Sequence, residues 1–530
     1  MLQTTRAYRG MVTAPHHLAA RAGLRVLEDG GDAIEAMIAA AAAITVVYPH
    51  MNAIGGDNFW LIHSPGKGAV GIDACGGAAM ATNIDYFGSR GINSIPTRGA
   101  LSALTVAGAV SGWQTALDFS RSQWDGNLSL ERLLEDAIFW ANDGVAVSET
   151  LAKNAELKYS ELRSVPGFAG AYLSDGLLPK PGQRLRQPRL AKTLDRLAKD
   201  GLDGFYRGAL ADDIVLDLAN VGSPLRSEDF AAYRASCVEP LSVDVAGHQV
   251  FNLPPPTQGV ASLMVLGIYE RLGIAEAETF DYVHGLVEAT KRAFLVRDRY
   301  VTDPDYMVAD PHQFLTSEAL DANAAVIDRE RALPWPHQAK LGDTVWLGAV
   351  DHKGRAVSFI QSVYWEFGSG IVLDRTGITW QNRGTSFSLD PAHHNCLMPR
   401  RRPFHTIQPA MALLSDGRVM VYGTMGGEGQ PQTQAMIFTR HVLHDQDLQL
   451  AVTAPRWLLG RTWGAETTNL RIEGRMPANV ISALSNAGHD VDVIADFDDV
   501  TGHAGALVLH ADGLIEGAAD PRGDGQAAGF

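Results

Sequence analysis

The spacing of hydrophobic positions divides the chain into a helical part and a strand part. In residues 282–296 apolar side chains recur every three or four positions, which is the period of a helix with one buried face. The apolar run at 36–47 follows the helix-start signal at 30–35, so we expect a fully buried helix there. From about Leu18 to Asn323 the pattern therefore predicts mainly helices.

The period changes to two after residues 333–336. Segments 345–350, 356–363 and 418–422 are predicted to be strands separated by turns. Long helices beside consecutive strands predict an α+β fold with helices on both sides of sheet, and no glycine-rich phosphate motif follows a strand. The glycine- and alanine-rich end at 517–530 is expected to be a frayed tail without a functional role.

Charge and composition exclude several classes of protein. The 530 residues carry 44 Lys and Arg against 60 Asp and Glu, a formal net charge of −16. This sign opposes affinity for phosphate, so we expect no nucleic acid or anionic membrane partner. The three cysteines are scattered and form no CxxC pair, as is usual in a reducing compartment. The chain does not open with a signal-like segment, and its apolar runs are shorter than a membrane span. We therefore expect a cytoplasmic protein.

Asp343-Thr344 stands at the start of the first predicted strand, where a Thr alone would be unremarkable. Ordered motifs elsewhere give the pair its significance, because together they resemble the γ-glutamyltranspeptidase family of N-terminal-nucleophile hydrolases. The family patterns are "HPLAxxAGxxxLxxGGNAxDA", "VxPxxxGIGGGGF", "SVPGxVAG", "PPPSSGG" and "EAxxxAFxDRxxxxxDP". The matching segments are residues 17–36, 47–59, 105–112, 254–259 and 288–304, followed by 343–344, 350–354, 367–370 and Gly426-Gly427.

The resemblance implies a four-layer αββα sandwich and a precursor that cleaves itself between Asp343 and Thr344. The products would be a helix-rich chain of residues 1–343 and a strand-rich chain of residues 344–530, which together form one catalytic domain. Two copies of each chain, a dimer of two-chain heterodimers, are usual in such proteins.

The resemblance also assigns the catalytic roles. Thr344 would be the nucleophile, and the α-amine released by cleavage would serve as its general base, because a hydroxyl alone is a weak nucleophile. Gly426 and Gly427 match the glycine pair whose backbone N–H groups hold the oxyanion. Ser362 matches a second hydroxyl that hydrogen-bonds the nucleophile.

The sequence departs from the family where a γ-glutamyl group would bind. The family's "NNQMDDFS" becomes residues 381–388, so Arg383 replaces Gln and Ser386 replaces the ammonium-binding Asp. Tyr364 replaces an Asn, and His405-Thr406 replaces a Ser pair. Losing the anion and gaining a guanidinium favours a substrate that carries a carboxylate and no amine.

Among family relatives, this combination resembles the oxamate amidohydrolases of purine catabolism. The expected substrate is a small carboxylate amide, with Arg98 as a further candidate donor and no cofactor implied. A γ-glutamyl hydrolase or transpeptidase and a glutaryl-type acylase remain alternatives, and so does an uncleaved relative that only binds metabolites. Residues 393–396 (His-His-Asn-Cys) lack a metal-ligand spacing, so no metal site is predicted.

Overall fold

Two antiparallel sheets lie face to face at the centre of the protein. The computed structural model describes residues 3–335, 343–460 and 467–530, so Pro336, the last residue of the predicted boundary, lies outside the described residues. In chain order the strands are β1 (Thr5–Ala7), β2 (Gly10–Ala14), β3 (Asp57–His63), β4 (Ala69–Ala74), β5 (Val145–Ala146), β6 (Arg184–Leu185), β7 (Ser236–Val238), β8 (Leu241–Val245), β9 (His248–Asn252), β10 (Asp343–Asp351), β11 (Ala356–Tyr364), β12 (Ala410–Leu413), β13 (Val419–Thr424), β14 (Trp457–Leu459), β15 (Leu470–Glu473), β16 (Val491–Ile494), β17 (Ala504–Leu509), β18 (Ile515–Ala519) and β19 (Gln526–Gly529).

Strands from both sides of position 343 contribute to both sheets. Within the described residues the first sheet runs β1-β18-β17-β13-β12-β9-β8 and the second runs β19-β2-β10-β11-β3-β4-β7. The three strands predicted from the period of two are confirmed as β10, β11 and β13. The strands of the helical first part were not predicted, and β3 lies directly beside β11.

Helices cover the outer face of each sheet. They are α1 (His17–Glu28), α2 (Ala33–Val47), α3 (Ile84–Gly88), α4 (Ala109–Gln123), α5 (Leu130–Asp143), α6 (Glu149–Leu162), α7 (Phe168–Tyr172), α8 (Pro188–Asp200), α9 (Ala209–Val221), α10 (Ser227–Ala232), α11 (Gly259–Arg271), α12 (Phe280–Tyr300), α13 (Ser317–Ala325), α14 (Gln430–Phe438), α15 (Leu448–Thr453) and α16 (Ala478–Asn486). Helices α1, α2 and α4 pack on the second sheet, and α11, α14 and α15 pack on the first. The predicted α+β sandwich with four layers, αββα, is confirmed.

The predicted buried helix is α2, and every residue in it is buried. Asp32 caps its start by accepting hydrogen bonds from the backbone N–H groups of Ile34 and Glu35, and Glu35 bonds back to the N–H of Asp32. This reciprocal cap satisfies donors that the buried helix end would otherwise leave unpaired. No helix among the described residues is long and apolar enough to cross a membrane.

A third apolar layer fills the space between the two sheets and positions β10. Trp346 on β10 packs there with Phe59, Ile360, Met411 and Leu507. Its indole N–H donates to Ser358 Oγ on the neighbouring strand at 2.9 Å. The first residues of β10 are therefore held by pairing within the second sheet and by packing against the apolar layer between the sheets.

The expectation of a frayed C-terminal tail is wrong. Residues 515–519 form β18 in the first sheet, and residues 526–529 form β19, which pairs with β2 at the edge of the second sheet. The small residues that made the segment look mobile allow Ala527 and Ala528 to be buried against that sheet edge. Phe530 adds backbone hydrogen bonds with Arg9 and Gly10, at 2.9 and 3.2 Å.

Deleting residues 525–530 is expected to destabilise the protein. It removes the backbone hydrogen bonds of β19 and leaves β2 as an unpaired edge, a loss of about 2–4 kcal/mol if each bond contributes about 0.5–1.5 kcal/mol. Thermal unfolding followed by circular dichroism measures the change. The substitution Gln526→Ala, at an exposed side chain of the same strand, is the control; an unchanged melting temperature after the deletion would contradict the structural role of β19.

Candidate active site

Thr344 lies at an irregularity where β10 begins. Asp343 pairs with Tyr364 of β11 and Val345 pairs with Gln361, so Thr344 sits opposite two residues, Ser362 and Val363. Bulges of this kind re-aim a side chain at the end of a strand. Thr344 and Ser362 are both buried, and Ser362 Oγ accepts a hydrogen bond from the backbone N–H of Tyr364 at 2.8 Å. The structure thus brings the two predicted hydroxyls together on adjacent strands.

Gln430 connects Thr344 to the glycine turn. Its Nε2 donates to Thr344 Oγ1 at 3.3 Å, while its Oε1 accepts from the backbone N–H of Gln408 at 3.1 Å. Gln430 is the first residue of α14, only three positions after Gly427. The predicted oxyanion turn and the candidate nucleophile therefore lie in the same part of the molecule.

Gly426 and Gly427 occupy backbone conformations that favour glycine. They join β13 to α14 with φ of 116° and 53°, both in the left-handed region. Gln258 Nε2 donates to the carbonyl of Gly427 at 2.9 Å and to that of Thr406 at 2.6 Å. This amide ties the turn to the segment that carries the predicted substrate residues.

Arg383 is the buried cation of the site. It is 1% exposed, its guanidinium carbon lies 3.8 Å from the ring centroid of Tyr364, and its Nη1 donates to Thr406 Oγ1 at 3.3 Å. Burial lowers the pKa of Arg383 to about 10, and the neighbouring Tyr364 and Asp57 oppose the shift, so the group stays protonated at neutral pH. Three of the predicted substrate residues are thus in direct contact.

His405 lies next to Asp57, a residue that the sequence analysis did not include among the site residues. His405 Nε2 is 3.6 Å from Asp57 Oδ2, and both side chains are almost fully buried. Burial, with Arg383 and Arg402 nearby, lowers the pKa of His405 well below its usual range, so its ring is neutral. Burial raises the pKa of Asp57 to about 7 despite stabilising hydrogen bonds from the backbone N–H groups of Gly108 and Gly76.

Ser386 and Arg98 form hydrogen bonds with backbone carbonyls of the segments around Arg383. Ser386 Oγ lies 3.0 Å from the carbonyl of Arg383 and 3.1 Å from that of Phe404, so it links the Arg383 turn to the residue before His405. Contact between Ser386 and substrate stays a prediction. Arg98 donates to the carbonyl of Glu366 at 2.6 Å and pairs with Glu161 at 2.8 Å, which fixes the loop after Tyr364.

The sequence carried a signal for Asp57 but not for Gln430. The family pattern "GIGGGGF" has glycine where this chain has Asp57, a change of the same kind as those at Arg383 and His405. Gln430 stands among several glutamines, and only the fold shows which of them reaches Thr344.

One cluster of possible metal ligands occurs among the described residues. It does not include the His-His-Asn-Cys segment at residues 393–396, where no metal site was predicted. The ligand atoms of His284, Glu288 and His489 lie within 4.8 Å of one another. They already bond each other and a cation: His284 Nδ1 is 2.8 Å from His489 Nε2, and Lys291 Nζ is 2.7 Å from Glu288. Lys291 and Glu288 also bind the carbonyl and N–H of Leu333, so the cluster holds the backbone at that residue.

The arrangement has the parts needed for acyl transfer to a hydroxyl. A buried threonine lies beside a turn whose backbone favours glycine, and a buried guanidinium stacks on Tyr364, the last residue of the strand that neighbours the threonine. Backbone N–H groups of such a turn stabilise an oxyanion, and a desolvated guanidinium binds a carboxylate strongly. The site therefore suits a carbonyl substrate with a nearby negative charge.

Comparison with known proteins gives relatives along nearly the whole chain. The chain is 53% identical to the oxamate amidohydrolase proenzyme of Klebsiella pneumoniae subsp. pneumoniae and 41% identical to the glutathione hydrolase-like YwrD proenzyme of Bacillus subtilis, in each case over 98% of both chains. The crystal structure of cephalosporin acylase from Bacillus halodurans matches with a TM-score of 0.92 and 34% identity, over 100% of this chain and 97% of that one.

The family profile described as Gamma-glutamyltranspeptidase matches residues 19–530. This match covers every predicted site residue and all strands of the two sheets except β1 and β2. The resemblance inferred from separate sequence motifs is confirmed, and the relatives include an amidohydrolase and an acylase. The chain is an amidohydrolase that belongs to the γ-glutamyltranspeptidase family of N-terminal-nucleophile hydrolases.

Proposed function

We propose that this enzyme cleaves itself before Thr344 and then hydrolyses the amide of a small carboxylate substrate, with oxamate as the best candidate. The observation that carries the proposal is Arg383, which is buried, stacked on Tyr364 and bonded to Thr406. All three replace residues that the family uses for a γ-glutamyl group. The name of the Klebsiella relative supports the same substrate.

The proposed reaction has two steps at one hydroxyl. Thr344 Oγ attacks the amide carbonyl of oxamate while the α-amine of Thr344 takes the hydroxyl proton, and Gly426 and Gly427 stabilise the oxyanion. The C–N bond breaks, the proton passes to the leaving nitrogen, and ammonia departs from an oxalyl ester of Thr344. Water then attacks the ester, the C–O bond breaks, and oxalate leaves with the threonine restored.

The precursor is proposed to give chains of 343 and 187 residues that stay together as one catalytic domain. Both sheets contain strands from each side of the cleavage position, so separation would break the β2–β10 and β3–β11 pairings. We also propose that the enzyme lies in the cytoplasm, as its scattered cysteines indicate. The family resemblance implies a dimer of two-chain units, and the resemblance to oxamate amidohydrolases implies a role in purine catabolism.

The test is ammonia release by the purified, processed enzyme. We expect ammonia and oxalate in equal amounts from oxamate, and no release of glutamate from γ-glutamyl-p-nitroanilide, because the pocket offers a cation where an ammonium would have to bind. Release of glutamate without ammonia from oxamate would overturn the proposal.

A glutaryl-type acylase is the second candidate, and the similarity to a solved cephalosporin acylase favours it. Such a substrate also has a carboxylate without an amine, but on a longer acyl chain. Faster turnover of glutaryl-p-nitroanilide than of oxamate would move the assignment to this class.

A further inference from the structure

Asp57 and His405 form a buried pair with unused hydrogen-bonding atoms. His405 is 0% and Asp57 1% exposed, and the edge of Phe59 packs on the histidine ring at 5.1 Å. Within the described residues, Asp57 Oδ2 and both ring nitrogens of His405 have no hydrogen-bond partner, and neither has Nε of Arg383. Buried polar atoms without partners are uncommon, so several at one place indicate a site built for a polar ligand.

The fold fixes the direction of the Asp57 carboxylate. Oδ1 accepts the backbone N–H of Gly108 at 2.9 Å and that of Gly76 at 3.2 Å, which leaves Oδ2 facing His405. Asp57 pairs with Ser362 across β3 and β11, and Ser362 lies opposite Thr344. Two strand spacings, about 10 Å, thus separate the backbones of Asp57 and Thr344.

The charges around this pair nearly cancel. Arg383 attracts Asp57 through space, while Arg402 is already paired with Asp73 at 3.1 Å and Asp303 at 2.8 Å. The other titratable groups facing Asp57 are Cys75, Tyr206 and Tyr233. Burial raises the pKa of each of these well above its usual range, so they are neutral. The free pocket therefore contains one cation, Arg383, and one anion, Asp57, which acts as its counter-charge.

We propose that Asp57 is a proton-linked counter-charge that releases Arg383 to the substrate carboxylate. When the carboxylate binds Arg383, a second negative charge enters a buried space, and Asp57 takes up one proton from solvent and donates it as a hydrogen bond to the neutral ring of His405. The inference rests on the proposed carboxylate pocket but not on cleavage chemistry. This role makes Asp57 a residue that determines specificity. A substrate with an ammonium group in place of the carboxylate would put that group beside the cation of Arg383.

The direction of the pH dependence follows from the free enzyme. Burial sets the pKa of Asp57 near 7, so above pH 7 the carboxylate is ionised and must be protonated for binding, whereas below about pH 6 it already carries the proton. Affinity for a carboxylate is therefore constant at low pH and falls up to about tenfold per unit above pH 7.

The experiment measures oxalate, the proposed product, binding to the processed wild-type enzyme. Calorimetric titrations at pH 8 in phosphate and in Tris, two buffers of different ionisation enthalpy, give the number of protons taken up. We expect between about 0.5 and 1 proton per oxalate at pH 8 and close to none at pH 5.5.

The variant Asp57→Asn keeps the acceptor atom for Gly108 and Gly76 but removes the charge. We expect no proton uptake, a pH-independent dissociation constant and, at pH 8.5, about tenfold or more tighter binding than the wild type. Asp217→Asn is the matched control, because Asp217 is a buried carboxylate paired with Arg375 away from this pocket and should leave proton uptake unchanged.

Oxalate binding by the wild type without proton uptake at pH 8 overturns the inference, whether or not Asp57→Asn folds. Equal uptake by wild type and Asp57→Asn overturns it as well. Proton-coupled oxalate binding without ammonia release from oxamate would support the inference and reject oxamate as substrate, so the two failures are distinguishable.

Discussion

Thr344→Ala is expected to purify as a single chain of about 57 kDa, whereas the wild type separates on a denaturing gel into chains of about 37 and 20 kDa, by share of length. In the proposed processing reaction the hydroxyl of Thr344 attacks the Asp343 carbonyl, the peptide C–N bond breaks to leave an ester and a free α-amine, and water then hydrolyses the ester; alanine has no atom for the first step. The same variant should lose at least about 10⁴-fold in kcat/KM for oxamate, because the nucleophile and its activating amine are both missing.

The matched control is Thr344→Ser, which retains a hydroxyl at the same place on β10. We expect it to cleave, more slowly, and to keep measurable amidase activity. Intact mass spectrometry locates the new N-terminus, and circular dichroism shows whether the alanine variant has kept its fold. Thr344 is buried, but the substitution removes only a hydroxyl and a methyl group, so loss of cleavage with an unchanged melting temperature assigns the effect to chemistry.

An uncleaved wild-type chain would contradict the mechanism, and so would cleavage at another bond. Cleavage of Thr344→Ala at the same bond would show that a different group, or a contaminating protease, performs the processing. In either case the role of Thr344 would have to be abandoned, while membership of the family would stand on the comparisons.

The fold was predictable where the pattern of apolar residues had one explanation. Helix α2 follows from an alanine-rich run after a capping signal, and β10 and β11 follow from alternation. Strand β3 was missed because it is buried on both faces: its sequence, DNFWLIH, shows no alternation, and such a run resembles a segment of a buried helix. The C-terminal strands were missed because small residues were interpreted as mobile, although at a sheet edge small side chains pack well.

The site was predictable only in part, because a motif gives identities and not contacts. Substitutions relative to the family pointed to Arg383, Tyr364, Thr406 and His405, and the fold places the first three in contact. The sequence marked Asp57 only as a departure from the family pattern, and its position opposite Ser362 and next to His405 is given by the fold alone. A long-range pairing of this kind has no local signal in one sequence.

Arg383→Gln is expected to produce the second large effect, a fall of about 10²- to 10³-fold in kcat/KM for oxamate, mostly through KM. The change removes the buried cation and restores the residue type of the family pattern. Losing one partner of a desolvated charge pair costs about 2–5 kcal/mol, which is the basis of this range. Because Arg383 lies outside the cleavage chemistry, the variant should still mature into two chains.

Steady-state kinetics and intact mass, measured on the same preparation, separate these two outcomes. Arg375→Gln is the control, since Arg375 is a partly exposed arginine paired with Asp217 at a distance from the pocket. Unchanged KM for oxamate in Arg383→Gln would show that the carboxylate binds elsewhere and would remove the main support for the proposed substrate.

Combining Arg383→Gln with Asp57→Asn tests whether the two charges act as one unit. Arg383 lowers the pKa of Asp57, so in Arg383→Gln that pKa rises and Asp57 stays protonated to a higher pH. We therefore expect Asp57→Asn to raise kcat/KM at pH 8 by a smaller factor in the Arg383→Gln background than in the wild type, and to change it little in either background at pH 5.5, where Asp57 is protonated in any case. Strictly additive effects at both pH values would show instead that Arg383 binds the carboxylate independently of Asp57.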